Sequence, residues 1–142
     1  MNAIKTPHIN FDMNYNGKLL NDFFGTVRPH DTEKYIIGKT YQIKLERKPI
    51  GEATLIAKRL FAFKKIREVL SFLDIGMPPH VLAGAIKNWY QNEITFFGDE
   101  EMAHLVFKWE QRHEEAFQKM FTERYRNLII PAKFIGYKPE DG

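Results

Sequence analysis

Apolar and polar residues alternate most cleanly in Thr40-Tyr41-Gln42-Ile43-Lys44-Leu45-Glu46, where Tyr41, Ile43 and Leu45 share one side. A period of two belongs to a half-buried β-strand. Arg47-Lys48-Pro49 follows as a turn, and the apolar run over 54–63 reads as the return strand of a hairpin. Gly51, just past that turn, suits a bulge or a close approach of two backbones. Two shorter strands precede the hairpin. One covers 8–12. The other is Phe23-Phe24-Gly25-Thr26-Val27-Arg28, stopped by Pro29. Between them and the hairpin, 31–39 forms one helical turn or a loop that Gly38 is placed to end.

The period changes after the hairpin. Ile66, Val69, Leu70 and Leu73 recur at helical spacing up to Gly76, and Leu82, Ala85, Ile86, Trp89 and Tyr90 do so after Pro78 and Pro79. The segment 99–126 fits two patterns. Met102, Leu105, Val106, Trp109, Ala116, Phe117, Met120 and Phe121 suit one long amphipathic helix. Leu105, Phe107 and Trp109 also alternate with Val106, Lys108 and Glu110, as on a strand. Residues 114–126 are helical either way. Strands with inserted helices and no βαβ alternation predict an α+β fold with a small β-barrel or a curled sheet. The 142 residues suit one domain, with a C-terminal helix over 111–130 and a peripheral tail over 131–142.

Composition removes several chemistries. There is no cysteine, hence no disulfide, thiolate nucleophile or Cys-ligated zinc. The single serine, Ser71, lacks the Gly-x-Ser-x-Gly setting of a nucleophile elbow. His8, His30, His80, His104 and His113 include no i, i+4 pair, and no glycine-rich phosphate loop is present. No metal and no cofactor are expected. No apolar run approaches the ~18–20 residues of a membrane span, and no membrane partner is expected. Residues 1–7 have no signal-peptide pattern. A cytoplasmic location is the expectation.

Charge is informative only by position. The net charge of +3 resolves into −1 over 1–33, +8 over 34–67 and −4 over 68–142. A basic block of this kind favours a polyanionic partner. Lys39, Lys58, Arg59, Lys64, Lys65 and Arg67 are its candidate nucleic-acid contacts. On a strand, Lys58 and Arg59 point to opposite faces, so only one of them can serve a given cleft.

The order of short motifs resembles a known family. These are Thr26-Val27-Arg28 at a strand end, Gly38-Lys39-Thr40-Tyr41-Gln42-Ile43, and Gly51-Glu52-Ala53 running into Lys58-Arg59. A helical pair follows, around Leu73-Asp74-Ile75-Gly76-Met77 and ending in Trp89-Tyr90, and then Leu105-Val106-Phe107-Lys108-Trp109. Over roughly 8–110 this is similar to the ASCH domains of the PUA-like superfamily. The resemblance implies a small barrel with a helical insertion and a cleft facing it. It also makes the last motif a strand. It implies binding of RNA or of a nucleotide-like ligand, with Thr26 and Arg28 lining the cleft.

One ASCH branch resembles small amidohydrolases acting on acylated cytidine, which use a Lys, a Thr and a Glu. Their Lys stands three residues before the Thr, and that position here is Phe23. Lys18 lies too far upstream to replace it without an insertion, and Glu68 and Asp74 are the nearest acids. Binding is therefore expected in preference to catalysis, and no catalytic residue is assigned. Arg28 could fork onto a phosphate or pair with Asp22 or Asp31. Asp74 could read a base, act as a general base or cap a turn. Trp89 and Tyr90 are expected to pack in the core rather than stack on a base. Phe117, Met120, Phe121 and Leu128 form a stripe that packs back on the barrel, or else serves a homodimer or an adaptor role.

Overall fold

The computed structural model describes residues 6–134. Five strands form one sheet: β1 (His8–Phe11), β2 (Phe23–Pro29), β3 (Thr40–Leu45), β4 (Lys48–Ala62) and β5 (Glu101–Arg112). Their order across the sheet is β1-β3-β4-β5-β2, with β1 parallel to β3 and all other pairs antiparallel. Two helices, α1 (Glu68–Ile75) and α2 (Pro79–Trp89), are inserted between β4 and β5, and α3 (Glu114–Phe134) follows β5. The fold is α+β.

The hairpin turn is tighter than the sequence pattern implies. Glu46 and Arg47 both take positive φ, 52° and 67°, and Lys48 and Pro49 already belong to β4. Two successive left-handed residues match the twist of the flanking strands, so the turn needs only those two. Gly51 lies at a close backbone approach, where a Cβ would run into the Gln111 carbonyl oxygen of β5. The segment 99–126 divides into strand and helix: β5 runs to Arg112 and α3 starts at Glu114, so the C-terminal helix begins later than 111. It also continues to Phe134, past the expected start of the tail. Residues 135–142 of that tail, and the side chain of Leu128, lie outside the described ones.

Alternation along β5 assigns the two faces of the sheet. Ala103, Leu105, Phe107 and Trp109 join Ile9, Phe11, Phe24, Tyr41, Ile43 and Leu55 in the main core. Met102 joins Val27, Phe63, Ile75, Leu82 and Ile86 in a second cluster on the other face, beneath α1 and α2. The main core is wrapped by the sheet, because its two edge strands approach each other. Phe11 on β1 meets Phe24 on β2 edge to face, with ring centroids 5.8 Å apart. No β1–β2 ladder is found among the described residues. The sheet is thus a curled half-barrel with an open seam. Part of the α3 stripe is used within the chain: Met120 is buried, and the Phe117 ring packs on Trp109 at 5.0 Å.

Candidate functional site

A cavity of about 210 Å³ opens at the seam between β1 and β2. Inward-facing residues of β2 supply Thr26 and Arg28. A short 3₁₀ helix, Tyr15–Leu20, supplies Lys18, and the last turn of α1 supplies Asp74. Trp89 and Tyr90, at the end of α2, form part of the wall.

Lys18 is held where it is by its neighbours. Leu19 is fully buried in the main core, and its carbonyl accepts a hydrogen bond from Trp109 Nε1 at 3.1 Å. Asn14 Oδ1 accepts from the Leu19 N–H at 2.9 Å. With Leu19 pinned on both sides, the Lys18 side chain is directed into the cavity. There its ammonium pairs with the Asp74 carboxylate, both side chains being 5% exposed. Asp74 uses its second oxygen to accept the Val27 N–H at 3.2 Å, an outward donor of the edge strand β2. The carboxylate is thus fixed to the strand and neutralises the ammonium. Burial nonetheless holds the Lys18 pKa below its usual value, because the attraction of Asp74 offsets the lost hydration only in part and Arg28 adds repulsion.

Arg28 contacts no carboxylate of the kind expected for it. Asp22 pairs with Arg112 at 2.7 Å, and Asp31 accepts the backbone N–H groups of Glu33 and Lys34. Arg28 instead donates through Nη2 to the Asn10 carbonyl at 2.7 Å, bridging the seam, and lies 5.0 Å from the Phe11 ring centroid. Beside it sits the Tyr35 phenol, pushed up to about 12 by burial, with the Arg28 charge pulling the other way. His104 lies on the opposite face of the sheet, its Nε2 2.8 Å from where a Cβ at Gly25 would stand. Burial holds its pKa below 6.5, the charges of Lys18 and Arg59 add to this, and Asp74 opposes them.

The structure brings Thr26, Arg28 and Asp74 together and adds Lys18, which spacing along the chain had set aside. Position 23 could not serve: Phe23 is half exposed and alternates away from Thr26 on β2. The short 3₁₀ helix carries Lys18 to the cavity. Trp89 and Tyr90, expected in the core, reach the cavity wall. Trp89 is 43% exposed, and Tyr90 is half-buried against the second cluster.

The basic block does not gather at this cavity. Lys58 stands in register with Leu105 and Thr26 across three strands, but its Nζ donates to the Tyr35 carbonyl at 2.9 Å. Arg59 is paired in register with His104 and so faces the other side. Lys64 pairs with Asp99 at 2.9 Å, Lys65 and Arg67 are exposed, and Lys39 is half-buried before β3. Among the described residues no cluster of metal-ligating side chains is found, and no helix is long and apolar enough to cross a membrane.

No family model matches the chain, and no curated protein matches it. Among solved structures it is similar to the crystal structure of protein EF3133 from Enterococcus faecalis V583, a DUF984 protein. The TM-score is 0.60 at 12% identity, over 82% of this chain and 83% of that one. At such identity the likeness concerns the fold alone.

Proposed function

We propose that the seam cavity binds one nucleoside- or nucleotide-like unit, in a sheet of the PUA-like, ASCH-type kind. The observation that carries this is the convergence of a buried Lys18–Asp74 pair, Thr26 and Arg28 with two aromatic side chains in about 210 Å³. Drug-sized ligands take pockets of about 300–1,000 Å³, so the cavity suits a single small planar unit, not a stretch of polymer. The division of Lys58, Arg59 and Lys64 among different faces and partners also favours a single unit over a long RNA. A Trp–Tyr wall offers a face for stacking, and the polar pair offers a donor and an acceptor for a base edge. Calorimetric titration with the common nucleosides and with a short single-stranded RNA tests this. Nucleoside binding should be lost in Thr26→Val. Binding of RNA alone, steeply weakened by salt, would point to the basic surface instead.

A second reading is favoured by one specific observation: Lys18, Thr26 and an acid share the cavity, the residue types of the amidohydrolase branch. Asp74 would take the role of that branch's Glu, and Lys18 comes from a different place in the chain. In this reading Asp74 takes a proton from water, which adds to the acyl carbon of an acylated cytidine. The Lys18 ammonium stabilises the developing oxyanion. The C–N bond then breaks, the amine takes the proton, and a carboxylic acid and cytidine are released. Release of acid that disappears in Asp74→Asn would support it. No turnover at high protein concentration would end it.

A further inference from the structure

The two cations of the cavity are in opposite situations. Lys18 is compensated by Asp74. Arg28 is half-buried, yet its neighbours are the Asn10 carbonyl, the Phe11 ring and the Tyr35 phenol, none of them a carboxylate. Among the described residues no ion pair includes Arg28, and its Nε is buried without a hydrogen-bond partner. The remaining acid of the cavity wall, Asp12, is exposed and accepts the Asn10 side-chain amide at 3.3 Å. Outside the cavity lining, Lys34 lies 5.6 Å from the Tyr35 ring centroid, and its charge is felt by Arg28 but opposed by Asp31 and Glu93. A guanidinium withdrawn from water with N–H donors to spare is costly unless an anion completes it.

We propose that Arg28 is the seat of a phosphate group, so that the ligand of the cavity is a nucleoside phosphate and not a neutral nucleoside. This rests on the reading of the cavity given above. The guanidinium is held in place by the Asn10 carbonyl and by a hydrogen bond to the Tyr35 phenol, which together leave part of its five N–H groups for the anion. A phosphate oxygen there would meet the planar donors of the guanidinium. The base would then extend from Arg28 towards the Lys18–Asp74 pair and the Trp89–Tyr90 wall. Arg28 would select for charge, and the buried pair would read the base.

The test is calorimetric titration of the full chain, at fixed ionic strength, with the four common nucleosides, their 5′-monophosphates and inorganic phosphate. At least one monophosphate should bind about tenfold tighter than its nucleoside. Arg28→Met should erase that ratio, weakening the monophosphate by more than it weakens the nucleoside. Since Arg28 also bridges the seam, Arg28→Lys serves if Arg28→Met does not fold. It keeps the charge without the fork, and the ratio should fall to about threefold. Equal affinity for nucleoside and monophosphate, or a ratio indifferent to Arg28, overturns the phosphate seat and leaves the nucleoside pocket standing. Binding of inorganic phosphate that depends on Arg28, with no nucleoside binding, upholds the seat and overturns the nucleoside reading. No binding of any of them overturns both.

Discussion

The Lys18 ammonium and the Asp74 carboxylate, separated by 56 residues, meet as a buried ion pair that joins the 3₁₀ helix to α1 beside the edge strand β2. Removing one partner strands a buried charge, which costs about 3–5 kcal/mol. Lys18→Met and Asp74→Leu should each lower unfolding free energy by that order in urea titrations. The double variant should recover much of the loss, because apolar side chains of similar volume need no compensation. It should stop short of full recovery, since the Val27 N–H then lacks its acceptor. Strictly additive losses would show that the two residues do not act as a pair.

His104 makes stability depend on pH. Its native pKa lies below 6.5, chiefly through burial, with Lys18 and Arg59 pushing the same way and Asp74 opposing. Between that native value and 6.5 the unfolded chain binds more protons than the native one. Stability therefore rises with pH across this window and is lost as pH falls through it. Urea midpoints measured from pH 8 down to pH 5 should show the decline, and His104→Gln should flatten it. An unchanged profile in His104→Gln would assign the dependence to another group.

Gly51 should not tolerate a side chain. A Cβ there meets the Gln111 carbonyl oxygen and comes within 3.0 Å of the Trp109 ring, at a φ of +156°. Backbone cannot retreat without breaking the β4–β5 pairing, so Gly51→Ala should cost about 1–3 kcal/mol. Gly38, at φ +92°, has nothing within 4 Å of its Cβ position. Gly38→Ala carries only the conformational strain of about 1 kcal/mol. Thermal unfolding of the two variants side by side checks the order.

Met120 ties α3 to the half-barrel. It is 4% exposed and belongs to the main core, and truncating such a side chain costs about 2–5 kcal/mol. Met120→Ala should lose stability by that amount with an unchanged mass by size-exclusion chromatography. A change in mass with little loss of stability would instead place this part of the stripe at an interface between copies.

The fold was legible where one local period governs a segment. Tyr41, Ile43 and Leu45 alternate because β3 has one face on the core, and Leu82 and Ile86 recur because α2 packs one stripe on the sheet. The segment 99–126 was ambiguous because Leu105 and Trp109 satisfy both periods at once. Pairing of β5 with both β4 and β2 selects the strand, and such pairing is not a local property. The turn at Glu46 and Arg47 was misplaced because neither residue type advertises a positive φ.

Sequence alone determined the alternation of β3, the helical stripe of α2 and the chemistries that composition excludes, because those properties depend on residue type and on neighbours a few positions away. Thr26 and Arg28 were singled out through the order of short motifs that resembles a family, and Asp74 as an acid among apolar neighbours. Tertiary structure alone decided that Lys18 joins them. Its segment has no period of its own and is placed by Leu19 in the core and by the Trp109 indole, 90 residues on. Tertiary structure likewise decided that the basic block is divided among different faces and partners, and that Arg28 lacks a carboxylate. Charge is additive along a chain, but its effect depends on distance and burial, and only the folded sheet sets those.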